Sequence, residues 1–235
     1  MIRQGILAAN RRRTVGGGVT DPHWANVVLR MNFDQAIPFT DFSASGHIFS
    51  LDGSGISQDT TIKKFGTGAT KFENNASNVN CPNSADFKFP GDFTMELWLY
   101  QNNGGIDQIV GFGDAYASGG WSWRLSNGTF QFYIDTGGSQ YQLISAAIPD
   151  DVFTHVAIER SGSSVSLFVN GVVAATASNA GSIAASTTSV FRVGGGPPDS
   201  SDSSVRIDDL RITKGVARYG GVGFAIPTEA YPIAA

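Results

Sequence analysis

Apolar residues along most of this chain alternate with polar ones, the pattern of strands that bury one face. Two runs show it most clearly, VVLRMNFD at residues 27–34 and FTMELWLY at residues 93–100. No segment has the 3.6-residue period of a long helix. The pattern therefore predicts an all-β protein.

Tight turns separate several of these runs. Asn127-Gly128 and Asn170-Gly171 each lie between two alternating segments. Both central residues of a type I′ turn need positive φ, which Asn and Gly tolerate best, so each pair predicts a β-hairpin. Many short strands with turn signals about every ten residues favour a sandwich or a barrel over βαβ units.

The alternation breaks near the C-terminus, in the run RIDDLRITKG at residues 206–215. The apolar positions change phase between Ile207 and Leu210, where Asp208 and Asp209 are adjacent. One extra residue in a strand, a β-bulge, produces such a slip. We predict a bulge here that frees one of the two carboxylates from the strand.

Composition narrows the classes of function. The chain has 235 residues, a net charge of -4 and a pI near 5.3, so no global basic field is present to hold nucleic acid. A single cysteine, Cys81, excludes a disulfide within the chain and a Cys-x-x-Cys metal site. No run reaches the eighteen or so apolar residues of a membrane-spanning helix, so we expect no membrane insertion.

The first 23 residues differ from the rest of the chain. A short apolar run precedes Arg11, Arg12 and Arg13, which reverses the charge order of a secretory signal, so we predict no signal peptide. Three glycines at 16–18 then indicate a flexible joint. One interpretation is a disordered leader; the other is a cationic arm whose arginines dock on a larger assembly. We divide the chain into a flexible arm, residues 1–23, and one domain, residues 24–235.

Five stretches taken in order carry a family resemblance. They are MNFD followed by FTDFSASGH, KKFGTGATKF, SADFKFPGDFTMELWLY, FTHVAIERSGSSVSLFVNGVVAA and RIDDLRITKGVARYGGVGF. The chain resembles laminin G-like domains of the concanavalin A-like jelly-roll superfamily, of the kind found in bacteriophage and bacterial surface proteins, over about residues 27–232. The resemblance implies an antiparallel two-sheet sandwich whose first and last strands lie close together.

The same resemblance implies a structural metal ion. Related jelly rolls often carry a Ca²⁺ ion that clamps the two ends of the chain, and Ca²⁺ takes six to eight oxygen ligands. In the implied fold the bulge would point Asp208 or Asp209 toward the strand that begins the domain. The candidate ligands are therefore Asp34 and Asp208, with Asp209 and Asp41 behind them. The alternative is an exposed Asp pair that forms salt bridges with Arg206 or Arg211 and binds no metal.

Enzymatic chemistry has little support in the sequence. Glucanases of the superfamily carry a strand motif E-x-D-x-x-E, which places three carboxylates on one face as nucleophile, helper and acid. None of the four glutamates has Asp two residues later. His155 alternates with apolar residues as a strand residue does, and no serine near it lies in a nucleophile elbow. We therefore predict that the protein is not an enzyme.

A binding role accounts better for the aromatic residues in GDAYASGGWSWRLSNG. Sugars present apolar faces to aromatic rings and hydroxyls to polar groups. The predicted contact group is Asp114, Tyr116, Trp121 and Arg124. The alternative is that Trp121 and Trp123 lie in the core between the sheets, because Leu125 continues the same strand face.

Together these features predict a non-enzymatic module on the surface of a bacteriophage virion. Its arm would dock on other virion proteins of capsid or tail, its domain would present a site for host cell-surface glycan, and the protein would be oligomeric within that assembly. Two alternatives remain open. One is a purely structural decoration or cement protein, and the other is a diverged glycoside hydrolase.

Overall fold

The computed structural model describes residues 20–35, 37, 39–73, 77–102, 106–113, 120–135, 140–178, 181, 183, 189–195 and 205–233. The strands are β1 Val27–Met31, β2 Ser50–Asp52, β3 Ile56–Asp59, β4 Ala69–Phe72, β5 Asn78–Cys81, β6 Phe93–Gln101, β7 Ile106–Phe112, β8 Trp121–Ser126, β9 Thr129–Asp135, β10 Gln140–Ala147, β11 Thr154–Ser161, β12 Ser164–Val169, β13 Val172–Ser178, β14 Phe191–Gly194 and β15 Val205–Lys214. Two short 3-10 turns, Trp24–Asn26 and Ala85–Phe87, are the helical elements of this part of the chain.

The strands form two antiparallel sheets packed face to face. The eight-stranded sheet has the order β13-β12-β11-β6-β15-β4-β3, with β1 also paired to β15. The seven-stranded sheet has the order β10-β9-β8-β7-β14-β5-β2. The predicted all-β jelly-roll sandwich is therefore confirmed, and the first strand lies beside the last.

Both Asn-Gly hairpins form as predicted. Asn127 has φ 48° and Gly128 φ 73°, and Asn170 and Gly171 have φ 47° and 75°. These values put both central residues of each turn in the left-handed region that a type I′ turn requires. The turns join β8 to β9 and β12 to β13.

Strand β15 contains the predicted bulge, and its position has a topological cause. The pairing of β15 with β6 shifts between Asp208 and Arg211, and Asp209 has φ 56°. On its other edge β15 pairs with β4 before the bulge and with β1 after it. The extra residue thus lies where β15 changes neighbours, and Ile207 and Leu210 are both returned to the core.

Aromatic rings fill the space between the sheets. The ring of Trp121 lies 5.8 Å from that of Phe89, and its indole N–H donates to the carbonyl of Phe87 at 3.0 Å. The ring of Trp123 meets that of Phe130 edge to face at 5.5 Å. Trp121 and Trp123 are both fully buried, so the core interpretation of these two residues is correct.

The outer face of the eight-stranded sheet is also covered. All nine residues of β6 are buried, including Glu96 and Trp98, which point away from the core between the sheets. The C-terminal segment, residues 216–233, lies over this face, where Tyr231 contacts Glu96. Alternation alone does not reveal this second buried layer.

Asp21, which precedes the predicted domain boundary at residue 24, contacts the domain. Asp21 is buried and accepts hydrogen bonds from Arg211 at 2.8 Å and from Arg218 at 2.8 and 3.0 Å. The folded unit therefore includes Asp21. Residues 11–13, the predicted docking arginines, lie outside the described residues. Among the described residues, no helix is long and apolar enough to cross a membrane.

Candidate functional site

The candidate site is the outward surface of the seven-stranded sheet, which we call the polar face. Strand alternation turns one set of side chains into the core and the other set outward. The described outward residues of the five strands β5, β14, β7, β8 and β9 are polar or glycine. Those that define the polar face are Asn78, Asn80, Arg192, Gln108, Gly111, Ser122, Arg124, Gln131 and Tyr133.

Strand register aligns these residues in two rows. In the first row, Asn80 is opposite Arg192, Arg192 opposite Gly111, Gly111 opposite Ser122 and Ser122 opposite Tyr133. Residues directly opposite each other in antiparallel strands project from the same side of the sheet. The row therefore forms one continuous strip across the sheet.

The second row begins at Gln108, which is opposite Arg124, and continues to Gln131. The Arg124 guanidinium lies 5.5 Å from the centre of the Tyr133 ring, and the Tyr133 hydroxyl donates to Gln131 at 3.2 Å. Arg124 is only 8% exposed. These contacts fix the orientation of a buried cation and of an aromatic ring on the polar face.

Gln108 and Gly111 lie between these fixed groups. The pairing of β7 with β8 shifts between Gln108 and Val110, so Ile109 and Val110 both enter the core and Gln108 and Gly111 both face outward. A Cβ at residue 111 would lie 2.6 Å from the Gln108 Nε2, which shows that the amide group lies across the glycine. Gln108 is 5% exposed, and its Nε2 has no hydrogen-bond partner among the described residues.

The structure does not bring the predicted sugar-contact residues together on one surface. Arg124 lies on the polar face, but Trp121 of the same strand points into the core. The prediction that Trp121 contacts ligand is corrected, because a fully buried ring presents no face to a sugar. Asp114 and Tyr116 lie outside the described residues.

Two of the four predicted metal ligands hold one segment of chain. Asp208 accepts the backbone N–H of Lys64 at 2.9 Å and of Phe65 at 3.0 Å. Asp34 accepts the N–H of Thr67, and that of Gly68 at 3.2 Å. The two carboxylates thus hydrogen-bond residues 64–68 to the chain just after β1 and to the middle of β15.

The negative charges around Asp208 would favour a bound cation, but the ligand set for one is incomplete. Burial, with the nearby carboxylates of Asp209 and Asp34, raises the pKa of Asp208 to about 7. A cation would relieve that repulsion, although the described residues contain no group of three His, Cys, Asp or Glu side chains able to hold a metal. Asp34 and Asp208 would supply two carboxylates and the chain its backbone oxygens. Calcium at this position stays a prediction.

The other two candidates have partners of a different kind. Asp209 forms an ion pair with Arg30 of β1 and accepts the N–H of Tyr231 at 2.7 Å. Burial raises the pKa of Asp209 to about 6, although Arg30 opposes the shift. Asp41 accepts three backbone N–H groups, from Arg30, Ser43 and His47, at 2.9 to 3.0 Å.

The alternative of an exposed Asp pair is also corrected. Asp208 and Asp209 are each 1% exposed. Arg206 forms its ion pair with Asp59, and Arg211 pairs with Glu96 and Asp21. The bulge does turn Asp209 toward the first strand, as predicted, but the residue that it meets there is Arg30.

A buried cluster that sequence reasoning missed surrounds Glu96. Arg211 donates to Glu96 Oε1 from Nε at 3.0 Å and from Nη2 at 2.7 Å, and the hydroxyls of Tyr219 and Tyr231 donate to Oε2. Burial has the largest single effect and raises the pKa of Glu96, but the opposing effects of Arg211, His155 and Arg218 together outweigh it and hold that pKa well below the usual value. These residues lie close together in space but far from Glu96 in the sequence, so no sequence motif indicates the cluster.

His155 belongs to the same cluster. It is fully buried, its Nε2 lies 2.7 Å from the Tyr231 hydroxyl, and its ring meets Trp98 at 5.2 Å. His155 is a strand residue, as its alternation predicts, and it lies beneath the C-terminal segment rather than at the surface. The polar groups around Glu96 bond to one another, whereas His155 Nδ1 is buried without a hydrogen-bond partner among the described residues.

The described geometry defines a jelly-roll domain of the lectin-like class, two antiparallel sheets, one of which has a polar outer face whose central residues Gln108, Ser122 and Arg124 are buried. A family model for this class, Laminin_G_3 of the concanavalin A-like lectin/glucanases superfamily, matches residues 73–217. The chain belongs to this superfamily. None of the curated proteins matches its sequence.

Solved structures with the same fold include binding domains of clostridial toxins. The binding domain of paraclostridial mosquitocidal protein 1 has a TM-score of 0.64 at 14% identity, over 86% of this chain and 50% of that one. The botulinum neurotoxin serotype D ligand binding domain, solved in complex with N-acetylneuraminic acid, has a TM-score of 0.63 at 14% identity, over 86% and 49%. The serotype G binding domain has 0.63 at 14%, over 85% and 48%. The chain thus spans about half the length of these domains.

Proposed function

We propose that this protein is a non-enzymatic glycan-binding module and that the polar face is its binding surface. Saccharides present hydroxyl groups that both donate and accept hydrogen bonds, together with apolar C–H faces. The polar face offers amides, a hydroxyl, arginine donors and the ring of Tyr133 on a rigid sheet. Sites on strands are held more precisely than sites on loops.

The observation that carries this proposal is the amide of Gln108. A buried donor without a partner costs about 1–3 kcal/mol, so such groups are uncommon in folded proteins. Gln108 Nε2 lacks a partner among the described residues while it lies on an outward sheet face, between Gly111 and Arg124. A ligand oxygen at this position would satisfy it.

Two further facts support binding over catalysis. The buried carboxylates Glu96 and Glu159 lie on the other sheet and are occupied by internal partners. The toxin domain solved with N-acetylneuraminic acid shows that a protein containing this fold binds a sugar.

Binding to a glycan array tests the proposal directly. The wild-type chain should bind at least one saccharide class, and Gln108→Ala and Tyr133→Ala should each weaken that binding about tenfold. Gln35→Ala is the matched control, because Gln35 is exposed and lies away from the polar face. Silence across a broad array would contradict the proposal and favour a structural decoration protein. Equal binding by all three variants would place the site elsewhere.

We propose a bacteriophage virion as the setting, with the cationic arm as the docking element. The support is the charge of Arg11, Arg12 and Arg13 ahead of a glycine joint, together with the family resemblance. Deletion of residues 1–20 should abolish incorporation into particles and leave the melting temperature of the domain within a few degrees of wild type. A variant with the three arginines replaced by Gln tests charge separately. Normal incorporation of the deleted protein would refute the role of the arm.

A further inference from the structure

We infer that two copies of this chain associate through strand β13, which pairs antiparallel with β13 of the second copy. Three observations lead to this inference. The strand is an exposed sheet edge, the chain segments that form its surroundings are uncharged, and apolar side chains are exposed beside it. The surface concerned belongs to the eight-stranded sheet and is separate from the polar face.

Strand β13 ends the eight-stranded sheet. Among the described strands only β12 pairs with it, so the backbone groups along its other edge have no strand partner in this part of the chain. Five of its seven residues are exposed, including Val172 at 67% and Val173 at 37%. A sheet edge of this kind is a template for pairing with another chain.

Other strands at sheet ends have features that oppose such pairing. At the far end of the same sheet, β3 has four residues and ends in Asp59. In the second sheet, β2 has three residues and ends in Asp52, and the pairing of β10 with β9 shifts between Ile144 and Ala147. Short strands, charged side chains and bulges are the usual protection of an edge. By length and charge, β13 lacks that protection.

The regular part of β13 is its second half. Its pairing with β12 skips Ala174 and continues without a shift from Ala175 to Ser178. Thr176 and Ala177 lie at the middle of this stretch. A twofold axis between them sets Thr176 of each copy opposite Ala177 of the other, so that both edges present the same backbone donors and acceptors.

Two uncharged segments meet at this corner of the domain. Residues 161–191 contain no charged side chain, and neither do residues 219–228, in a chain that is 15% charged. The first segment includes β12 and β13. The second lies over β12, because a Cβ at Gly221 would be 3.8 Å from the Ser166 hydroxyl.

The absence of charge favours a second copy as the partner. Each copy carries a net charge of -4, so two copies repel one another over most of their surfaces. A contact built from uncharged segments places no like charges opposite each other. Pairing of β13 with itself also closes after two copies, whereas pairing with a different edge would continue into a filament.

Exposed apolar side chains lie beside the start of β13. The Phe224 N–H donates to the Gly171 carbonyl at 2.9 Å, which places the C-terminal segment next to Val172. Two residues before Phe224, Val222 is 64% exposed. Burial of such side chains supplies the main driving force of association, because backbone hydrogen bonds exchanged with water contribute little.

Antiparallel pairing orients the polar faces of the two copies alike. A twofold axis that joins two antiparallel strands in one sheet is perpendicular to that sheet, so both copies keep the same side toward the viewer. The two polar faces then point in one direction. If the proposed function holds, the dimer presents two glycan sites to a single surface and gains avidity there.

Sedimentation equilibrium of the full chain tests the inference. Wild type should change from the 24.8 kDa monomer to a dimer as its concentration rises from about 1 to about 300 µM. Thr176→Glu places a carboxylate beside the axis, where it faces its own copy, and should raise the dissociation constant about tenfold or more. Ser57→Glu adds the same charge at an exposed position of β3 and should dimerise as wild type does.

A mixture of variants separates loss of pairing from loss of folding. Thr176→Lys alone should also weaken the dimer, but an equal mixture with Thr176→Glu should restore it, because opposite charges then meet across the axis. Both variants should melt within a few degrees of wild type, since Thr176 is exposed.

Several results would overturn the inference. These are a monomer at every concentration, species larger than a dimer, equal dimerisation of Thr176→Glu and Ser57→Glu, and a mixture of the Thr176 variants that stays monomeric. The glycan array tests the proposed function separately. A dimer that binds no saccharide would refute the proposed function and leave this inference standing, whereas a monomer that binds glycan would do the reverse.

Discussion

Replacement of Glu96 by Gln tests whether the buried cluster beneath the C-terminal segment stabilises the fold. Glu96 is fully buried and accepts hydrogen bonds from Arg211, Tyr219 and Tyr231, while Arg211 itself is almost as buried. Gln has the same shape, and it retains one acceptor oxygen. The change therefore removes the charge and leaves the packing in place.

The expected cost follows from the pairing of the two charges. Removing one partner of a buried ion pair leaves the other uncompensated and costs about 3–5 kcal/mol. Arg211 keeps a second partner in Asp21, at 2.8 Å, so the lower end of that range applies, about 3 kcal/mol. Domains of this size are stable by about 5–15 kcal/mol, so the loss is a large fraction of the total.

Urea denaturation followed by tryptophan fluorescence measures the free energy of unfolding. Glu96→Gln should lower the midpoint with little change in slope, and Glu229→Gln, which alters an exposed carboxylate, should change neither. The double variant Glu96→Gln with Arg211→Met should be more stable than Glu96→Gln alone, because no uncompensated charge stays buried there and Arg218 still pairs with Asp21.

The pH dependence provides a second measurement of the same pair. The folded-state pKa of Glu96 lies below its ordinary value of 4.5, so its contribution is fully present above that pH and is lost as the pH falls below it. Wild-type stability should therefore fall more steeply in acid than that of Glu96→Gln. A cost below about 1 kcal/mol at pH 7, or identical pH profiles, would refute the reasoning.

Two further predictions concern a turn and the calcium hypothesis. Gly171→Ala should destabilise the fold by about 1–3 kcal/mol more than Gly220→Ala. Both glycines have positive φ, but only a Cβ at residue 171 would meet a backbone atom, the Phe224 carbonyl oxygen at 2.1 Å. Equal losses of stability in thermal denaturation would show that the hairpin and the C-terminal segment do not touch. Chelation at fixed ionic strength should lower the melting temperature of wild type but not of Asp34→Asn if Ca²⁺ is bound between Asp34 and Asp208. An unchanged wild-type melting curve would exclude that ion.

Local patterns in the sequence determined much of the fold. Period-two alternation identified the strands, the Asn-Gly pairs located two hairpins, and the slip before Leu210 located the bulge. Each of these features depends on the backbone preferences of neighbouring residues. Such signals can be recognised without knowledge of which strands pair.

The partners of the functional side chains were decided only by the tertiary structure. Alternation places Arg124 and Trp121 on opposite faces of β8, but only the packing of the second sheet decides that the face of Trp121 is the buried one. Asp209 meets Arg30 because β1 and β15 are neighbours in the sheet. The polar face likewise exists because strand order sets Gln108 beside Arg124. Contacts between residues distant in the chain depend on strand order and register, which alternating hydrophobicity does not encode.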